Sequence, residues 1–193
     1  MQEVGTQLFW DLSRGTGIAA VILAGLSVTT GLLASRARPL KFKKLTEKKE
    51  LHEALSMATI VAVIAHAVLL LFDPWLNAGV AGITVPFVLD YRPFFTGIGI
   101  IAGYGLIVLG LSYYARTWIG VNRWRAAHRF TSAFWVLGLV HTFGAGTDAD
   151  QLWLLIPVFL TSAPAIVLLA MRLFGSSGGT KKPAEPAPGA PTT

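Results

Sequence analysis

Four histidines, His52, His66, His128 and His141, are the residues of this chain whose type and spacing suggest one shared chemistry. They fall into two pairs, separated by 14 and by 13 positions. An imidazole moves a proton or ligates a metal through a ring nitrogen. The chain of 193 residues contains no cysteine, which excludes disulfides, thiolate metal sites, iron–sulfur clusters and thioether-linked c-type haem. Any redox metal must therefore use a ligand other than thiolate.

Composition says what surrounds these histidines. With 53% hydrophobic and 13% charged residues and a mean hydropathy of +0.60, the chain is too apolar for a soluble globule of its length. Its formal charge of +6 and pI near 9.9 would raise nucleic-acid binding in a soluble protein. Here the basic residues lie between apolar runs, so they report membrane orientation, and no nucleic-acid partner is expected.

A bilayer core takes about 20 apolar residues in a helix. Five stretches approach that length: Gly15 to Ala34, Leu51 to Phe72, Phe94 to Ala115, Phe130 to Gly146 and Leu152 to Met171. The fourth is the shortest, and the fifth contains Pro157 and Pro164, which a neighbouring helix can accommodate in a membrane. The expected fold is all-α, an integral membrane bundle of about five transmembrane helices. Of the Lys and Arg residues, 14 lie after the first, third or fifth span, and only Arg14 and Arg92 lie on the other side. The positive-inside rule therefore predicts the N-terminus outside and the C-terminus in the cytoplasm.

Under this topology His52 and His128 lie near the inner face, and His66 and His141 near the outer face. Helical rise puts the first pair roughly 21 Å apart and the second roughly 19 to 20 Å apart along their axes. The two rulers match. A b-type haem is held noncovalently between axial imidazoles, so each level can hold one iron with one histidine from each helix. Azimuth fits less well. At about 100° per residue, His66 returns to within about 40° of His52, whereas His141 falls about 140° from His128. A distorted first turn near His128 would reconcile the second pair. Histidines within a span are functional by default, while His52 and His128, taken singly, also suit an ordinary membrane interface.

The expected domain plan is an outer N-terminal segment over 1–14, a transmembrane haem-binding domain over 15–173, and a disordered cytoplasmic tail over 174–193 rich in Gly, Ser, Pro, Ala and Thr. The N-terminus lacks signal-peptide features, with Glu3 and Asp11 ahead of the first apolar run. Residues 73–92, interrupted by Pro74, Gly79, Gly82 and Pro86, are apolar enough to lie along the outer interface or fold back among the helices, where they could roof a site. No internal repeat of fixed period is evident.

Haem propionates favour basic side chains, which makes Arg125 and Arg129 inner candidates and Arg92 an outer one. Positive-inside topology accounts for the same residues. Trp118, Trp124, Trp135 and Trp153 could pack on porphyrin or mark the interfaces, and Asp148 and Asp150 form an acidic outer turn that could attract a ferric ion, although a solvated loop explains them equally well. The run Gly97-x-Gly99-x-x-Ala102 imitates a dinucleotide fingerprint but lies inside an apolar span rather than between strand and helix. Gly99 and Gly103 are better read as a small-residue packing surface.

The segments LHEALSMATIVAVIAHAVLL, carrying His52 and His66, and WRAAHRFTSAFWVLGLVH, carrying His128 and His141, resemble the ferric-reductase-like transmembrane domain. That family includes ferric reductases, NADPH oxidases and the haem subunit of a bacterial methionine sulfoxide reductase system. The resemblance spans roughly residues 15 to 173. It implies two b-type haems, with His52 and His128 as axial ligands inside and His66 and His141 outside. The large family members continue into flavin- and nicotinamide-binding domains, which this chain is expected to lack.

The resulting expectation is a multi-pass b-type cytochrome of a cell membrane, a bacterial cytoplasmic membrane by preference, acting as an oxidoreductase electron-transfer module. Its donor would be a separate flavoprotein or a quinol, with a flavin or quinone on a partner or at the interface. Its outer acceptor would be a ferric chelate, a quinone or a reductase partner. A carrier or channel using the histidines for protons or metal ions, and an anchor subunit of a dehydrogenase, are the alternatives.

Overall fold

Lipid offers no hydrogen bonds to a backbone, so long uncharged runs close their N–H and C=O groups within helices. A computed structural model describes residues 2–36 and 42–175, with side chains over 7–35 and 46–175. Its elements are α1 (Gln2–Arg36), α2 (Phe42–Leu70), α3 (Gly79–Thr84), α4 (Pro93–Leu111), α5 (Arg116–Ile119), α6 (Val121–His128), α7 (Thr131–Ala145) and α8 (Leu152–Phe174). Among the described residues there is no strand. Arg38, Lys41, Lys181 and Lys182, and the expected tail beyond residue 175, lie outside the described residues.

Among the described residues, four helices are long and apolar enough to cross a membrane: α1 within Gln7–Ser35, α2 within Thr46–Leu70, α4 over Pro93–Leu111 and α8 over Leu152–Phe174. The fourth expected span is realised as α7, whose 15 residues fall short of the roughly 20 that a bilayer core takes. Only Arg129 and Phe130 separate it from α6. At the other end of the chain, α1 begins at Gln2 rather than near Gly15, so Ser13 and Arg14 sit on the same helix as the first apolar run.

Helix α1 is the hub, packing on α2, α8 and α7, while α4 packs on α7 and α2. Trp135 of α7, 1% exposed, joins Ala24 of α1 and Ala165 of α8 in one core cluster. Val21, Leu154 and Val158 form another. Small residues let α1 and α8 approach closely, since a Cβ on Gly25 would lie 3.1 Å from the Thr161 carbonyl oxygen. Proline inside α8 is tolerated at Pro157 and Pro164, where the Thr161 hydroxyl donates to the Pro157 carbonyl at 2.8 Å.

Residues 73–92 fold back against α4. The Tyr104 hydroxyl donates to the Thr84 carbonyl at 2.7 Å, well along α4 from its Pro93 start. Phe87, with φ of 68°, lays its ring on Gly97, where a Cβ would come within 2.2 Å of that ring. A bulky residue with positive φ is costly and persists only where packing demands it. Asp73 holds the start of the segment, its Oδ1 accepting from the Trp75 N–H at 2.9 Å.

Candidate metal centres

The four half-buried histidines meet in two pairs. His52 of α2 faces His128 of α6, with ring centroids 6.1 Å apart and planes at 82°. His66 of α2 faces His141 of α7, at 6.3 Å and 68°. The awkward azimuth between His128 and His141 has a local cause. Helix α6 ends at His128, and Phe130 N–H then donates to the Ala127 carbonyl at 2.9 Å, an i to i−3 bond that tightens the turn. Residues 128 and 141 therefore do not lie on one ideal helix.

Each ring's Nδ1 faces a main-chain carbonyl of a neighbouring helix. His66 reaches Ser13 O at 2.8 Å, His52 reaches Ser27 O at 2.9 Å, His141 reaches Phe95 O at 2.9 Å, and His128 reaches Leu109 O at 3.4 Å. A carbonyl only accepts, so Nδ1 carries the proton and donates, leaving the Nε2 lone pair available. This is the usual arrangement of a metal-ligating histidine.

The gap between paired rings has a chemical meaning. An imidazole nitrogen bonds a transition metal at about 2.0–2.1 Å, so a linear nitrogen–metal–nitrogen unit separates ring centroids by about 6.3 Å. Both observed separations match that span. Among the described residues no group of three or more His, Cys, Asp or Glu side chains could hold a metal ion. Two imidazoles alone are too few for a bare zinc ion, which takes at least three protein ligands. They suit a metal that brings its own in-plane donors, as haem iron does.

Crowding around the rings is relieved by glycine. A Cβ on Gly17 would lie 2.9 Å from His66 Nδ1, one on Gly31 2.9 Å from His52 Cε1, and one on Gly99 2.3 Å from His141 Nδ1. Gly99 thus makes room for an imidazole, and Gly103 faces Val63 of α2. The two do not form one shared packing surface.

The other expected residues are spread more widely. Arg92 donates through Nη1 to the Gly144 carbonyl at 2.8 Å, tying the start of α4 to the end of α7. Arg125 and Arg129 are exposed on and just beyond α6. Trp124 stacks on His128, with centroids 5.0 Å apart, whereas Trp135 is in the core, Trp153 is exposed and Trp118 is 93% exposed. Asp148 is engaged by Arg14, whose Nε donates to Oδ2 at 3.0 Å. The Glu53 carboxylate accepts from the Tyr114 hydroxyl at 3.1 Å, a bond that raises the Tyr114 phenol above its ordinary pKa. Ser13 and Ser27, which seat His66 and His52, were not singled out by sequence reasoning. Serine in a helix carries no mark of what its carbonyl will meet.

An all-helical bundle with apolar spans and two facing imidazole pairs defines a membrane protein with two candidate metal sites. The chain matches the ferric reductase like transmembrane component family over residues 16–139, and it belongs to that family. Domains of this family generally bind haem. The matched stretch contains His52, His66 and His128 and ends just before His141. No curated protein and no solved structure matches the chain.

Proposed function

We propose that the chain is a b-type cytochrome that carries electrons across a bacterial cell membrane through two haems, each held by two histidines. His52 and His128 are the axial ligands at the inner level, His66 and His141 those at the outer level. The observation that carries this reading is the pairing itself: in each of two pairs the ring centroids are about 6 Å apart and each Nδ1 faces a carbonyl, with His52 and His66 on the lipid-length helix α2.

The topology that goes with it has five crossings, α7 being the fourth, with the N-terminus outside and the C-terminus cytoplasmic. Residues 1–14 form an outer N-terminal segment, 15–173 the haem-binding domain, and 174–193 a cytoplasmic tail. Electrons come from a flavoprotein or a quinol, with the flavin or quinone on a partner or at the interface. They leave to an outer ferric chelate, quinone or reductase partner.

Bound haem supplies a one-electron ferric–ferrous couple. The chain's own residues hold and orient it. Main-chain carbonyls keep each imidazole in the Nδ1–H tautomer, which leaves the Nε2 lone pair free to ligate. Glycines at 17, 31 and 99 let the rings approach the neighbouring helices, and the fold-back of 73–92 covers one side of α4. Arg92, Arg125 and Arg129 are the basic groups offered to propionates. A proton or ion carrier would need acidic partners beside the histidines, and Glu53 is already bonded to Tyr114.

Purified protein, expressed with ample haem supply, should give a reduced-minus-oxidised b-type spectrum and two haems per chain by pyridine haemochrome. Replacing His66 or His141 should remove one haem, and replacing His52 or His128 the other. An apoprotein without haem would end this reading.

A further inference from the structure

Helix α1 carries a repeat that becomes visible only once its partners are known. Ser13-Arg14-Gly15-Thr16-Gly17 and Ser27-Val28-Thr29-Thr30-Gly31 both read S-x-x-T-G, and they lie 14 positions apart. That is the separation of His52 and His66 on the antiparallel helix α2. The expectation of no internal repeat is corrected here for these ten residues.

The two copies make the same contacts. At one end, Ser13 O receives His66 Nδ1 at 2.8 Å and the Thr16 hydroxyl at 2.9 Å, while Ser13 Oγ lies 3.2 Å from the same Nδ1. At the other, Ser27 O receives His52 Nδ1 at 2.9 Å and the Thr30 hydroxyl at 2.9 Å, with Ser27 Oγ 3.2 Å from Nδ1. Gly17 and Gly31 complete the copies, each leaving the space in which a Cβ would stand 2.9 Å from the ring.

Each position in the repeat has a physical task. A helical carbonyl has a second lone pair beyond the one used by the i+4 N–H. Glycine at i+4 opens that lone pair to a ring from the neighbouring helix. Threonine at i+3 brings its hydroxyl to the same oxygen and to the carbonyl one residue earlier, Leu12 O at 2.8 Å for Thr16 and Leu26 O at 3.0 Å for Thr30, so its single proton is shared between two acceptors. Two added donors on one oxygen compete, so the threonine weakens the imidazole's bond. The partners of α7 and α6 lack the full pattern. His141 has the carbonyl of Phe95 and Gly99 at i+4, with Ile98 at i+3, and Leu109 opposite His128 is followed at i+4 by Tyr113.

We propose that the S-x-x-T-G repeat of α1 is a pair of positioning sites, one for each metal level, that set the orientation and electron richness of His66 and His52. The proposal rests on the two-haem reading above and deepens it. Removing the threonine hydroxyl strengthens the carbonyl bond and makes the imidazole a richer donor, which favours ferric iron. Thr16→Val should therefore lower one midpoint potential and leave the other in place. Thr30→Val should lower the other, and Thr16→Ser or Thr30→Ser should restore the original value. Gly17→Ala and Gly31→Ala displace a ring, and should weaken haem binding at one level by roughly 10–100-fold, the usual cost of disturbing a ligand's supporting contacts.

The test is a redox titration of the purified full-length chain followed optically, with haem counted per chain. The level is assigned by comparison with His66→Leu and His52→Leu, each of which should delete the potential that the matching threonine variant moves. No haem on the unaltered chain would defeat the underlying reading. Two haems on it, with both potentials unmoved in Thr16→Val and Thr30→Val, would overturn this proposal alone. So would either variant moving both potentials equally.

Discussion

His128 lies nearly flat on Trp124, with planes 27° apart and centroids separated by 5.0 Å, and its Nδ1 contact to Leu109 O, at 3.4 Å, is the longest of the four. Stacking adds to the orientation that this longer contact gives the ring. Tyr113 meets Trp124 edge-on, with centroids 5.8 Å apart and planes at 61°, and Arg116 lies over the Tyr113 ring at 3.9 Å. Aromatic pairs contribute about 0.5–1.5 kcal/mol beyond burial. Trp124→Ala should therefore loosen haem at the His52–His128 level by roughly two- to twelvefold and spare the other level. Trp124→Phe should retain most of the affinity. Haem titration into the apoprotein reads both, and equal loss at the two levels would contradict the assignment.

The steep angles between paired rings, 82° and 68°, have a spectroscopic consequence. Parallel axial imidazoles split the iron dπ orbitals, and crossed ones leave them nearly degenerate. Oxidised protein should show strongly anisotropic low-spin ferric signals with a low-field feature, more pronounced for the His52–His128 level. Low-temperature EPR would read this directly. Two ordinary rhombic signals would mean that the rings do not keep these angles.

Close approach of α4 and α7 depends on glycine at particular sites. A Cβ on Gly105 would stand 2.2 Å from the Phe134 ring, whereas one on Gly138 meets nothing within 4 Å. Gly105→Ala overpacks the contact and should destabilise the protein by about 1–3 kcal/mol. Gly138→Ala should be neutral or stabilising by up to about 1 kcal/mol, since alanine is the better helix former. Thermal unfolding in one detergent compares the two, and a similar loss in both would show that helix packing here is not set by that ring.

Arg14 and Asp148 join α1 to the turn before α8. Their side chains are 32% and 19% exposed, so solvent screening limits the pair to about 1 kcal/mol or less. Asp148→Asn should lower the melting temperature slightly, by an amount that shrinks at high salt, without altering haem content. Loss of haem in this variant would show that the turn does more than tether two helices.

Much of the fold was legible because helices in lipid announce themselves by long apolar runs. The histidine levels were legible for the same reason, since rise per residue is nearly constant along α2. Two features resisted that arithmetic. The tight turn at Arg129 and Phe130 changes the azimuth of His128, and nothing in WRAAHRFTSAF marks it. The expected run Phe130 to Gly146 matches α7 to within one residue at each end, but the helix's 15 residues are short for a bilayer core. For residues 73–92, proline and glycine spacing left two placements open, and the fold-back depends on Phe87 finding Gly97.

By itself the sequence determined which residues could ligate a metal, that they lie in or beside apolar helices, and that they fall at two heights. These are local properties, carried by residue type and a fixed helical rise. Only the tertiary structure decided what each imidazole rests on. Every residue offers the same carbonyl, so choosing Ser13 for His66 and Trp124 for His128 required the packing of one helix against another. The four histidines could be read from the chain, but their orientation belongs to the neighbours that α1, α4 and α6 bring to them.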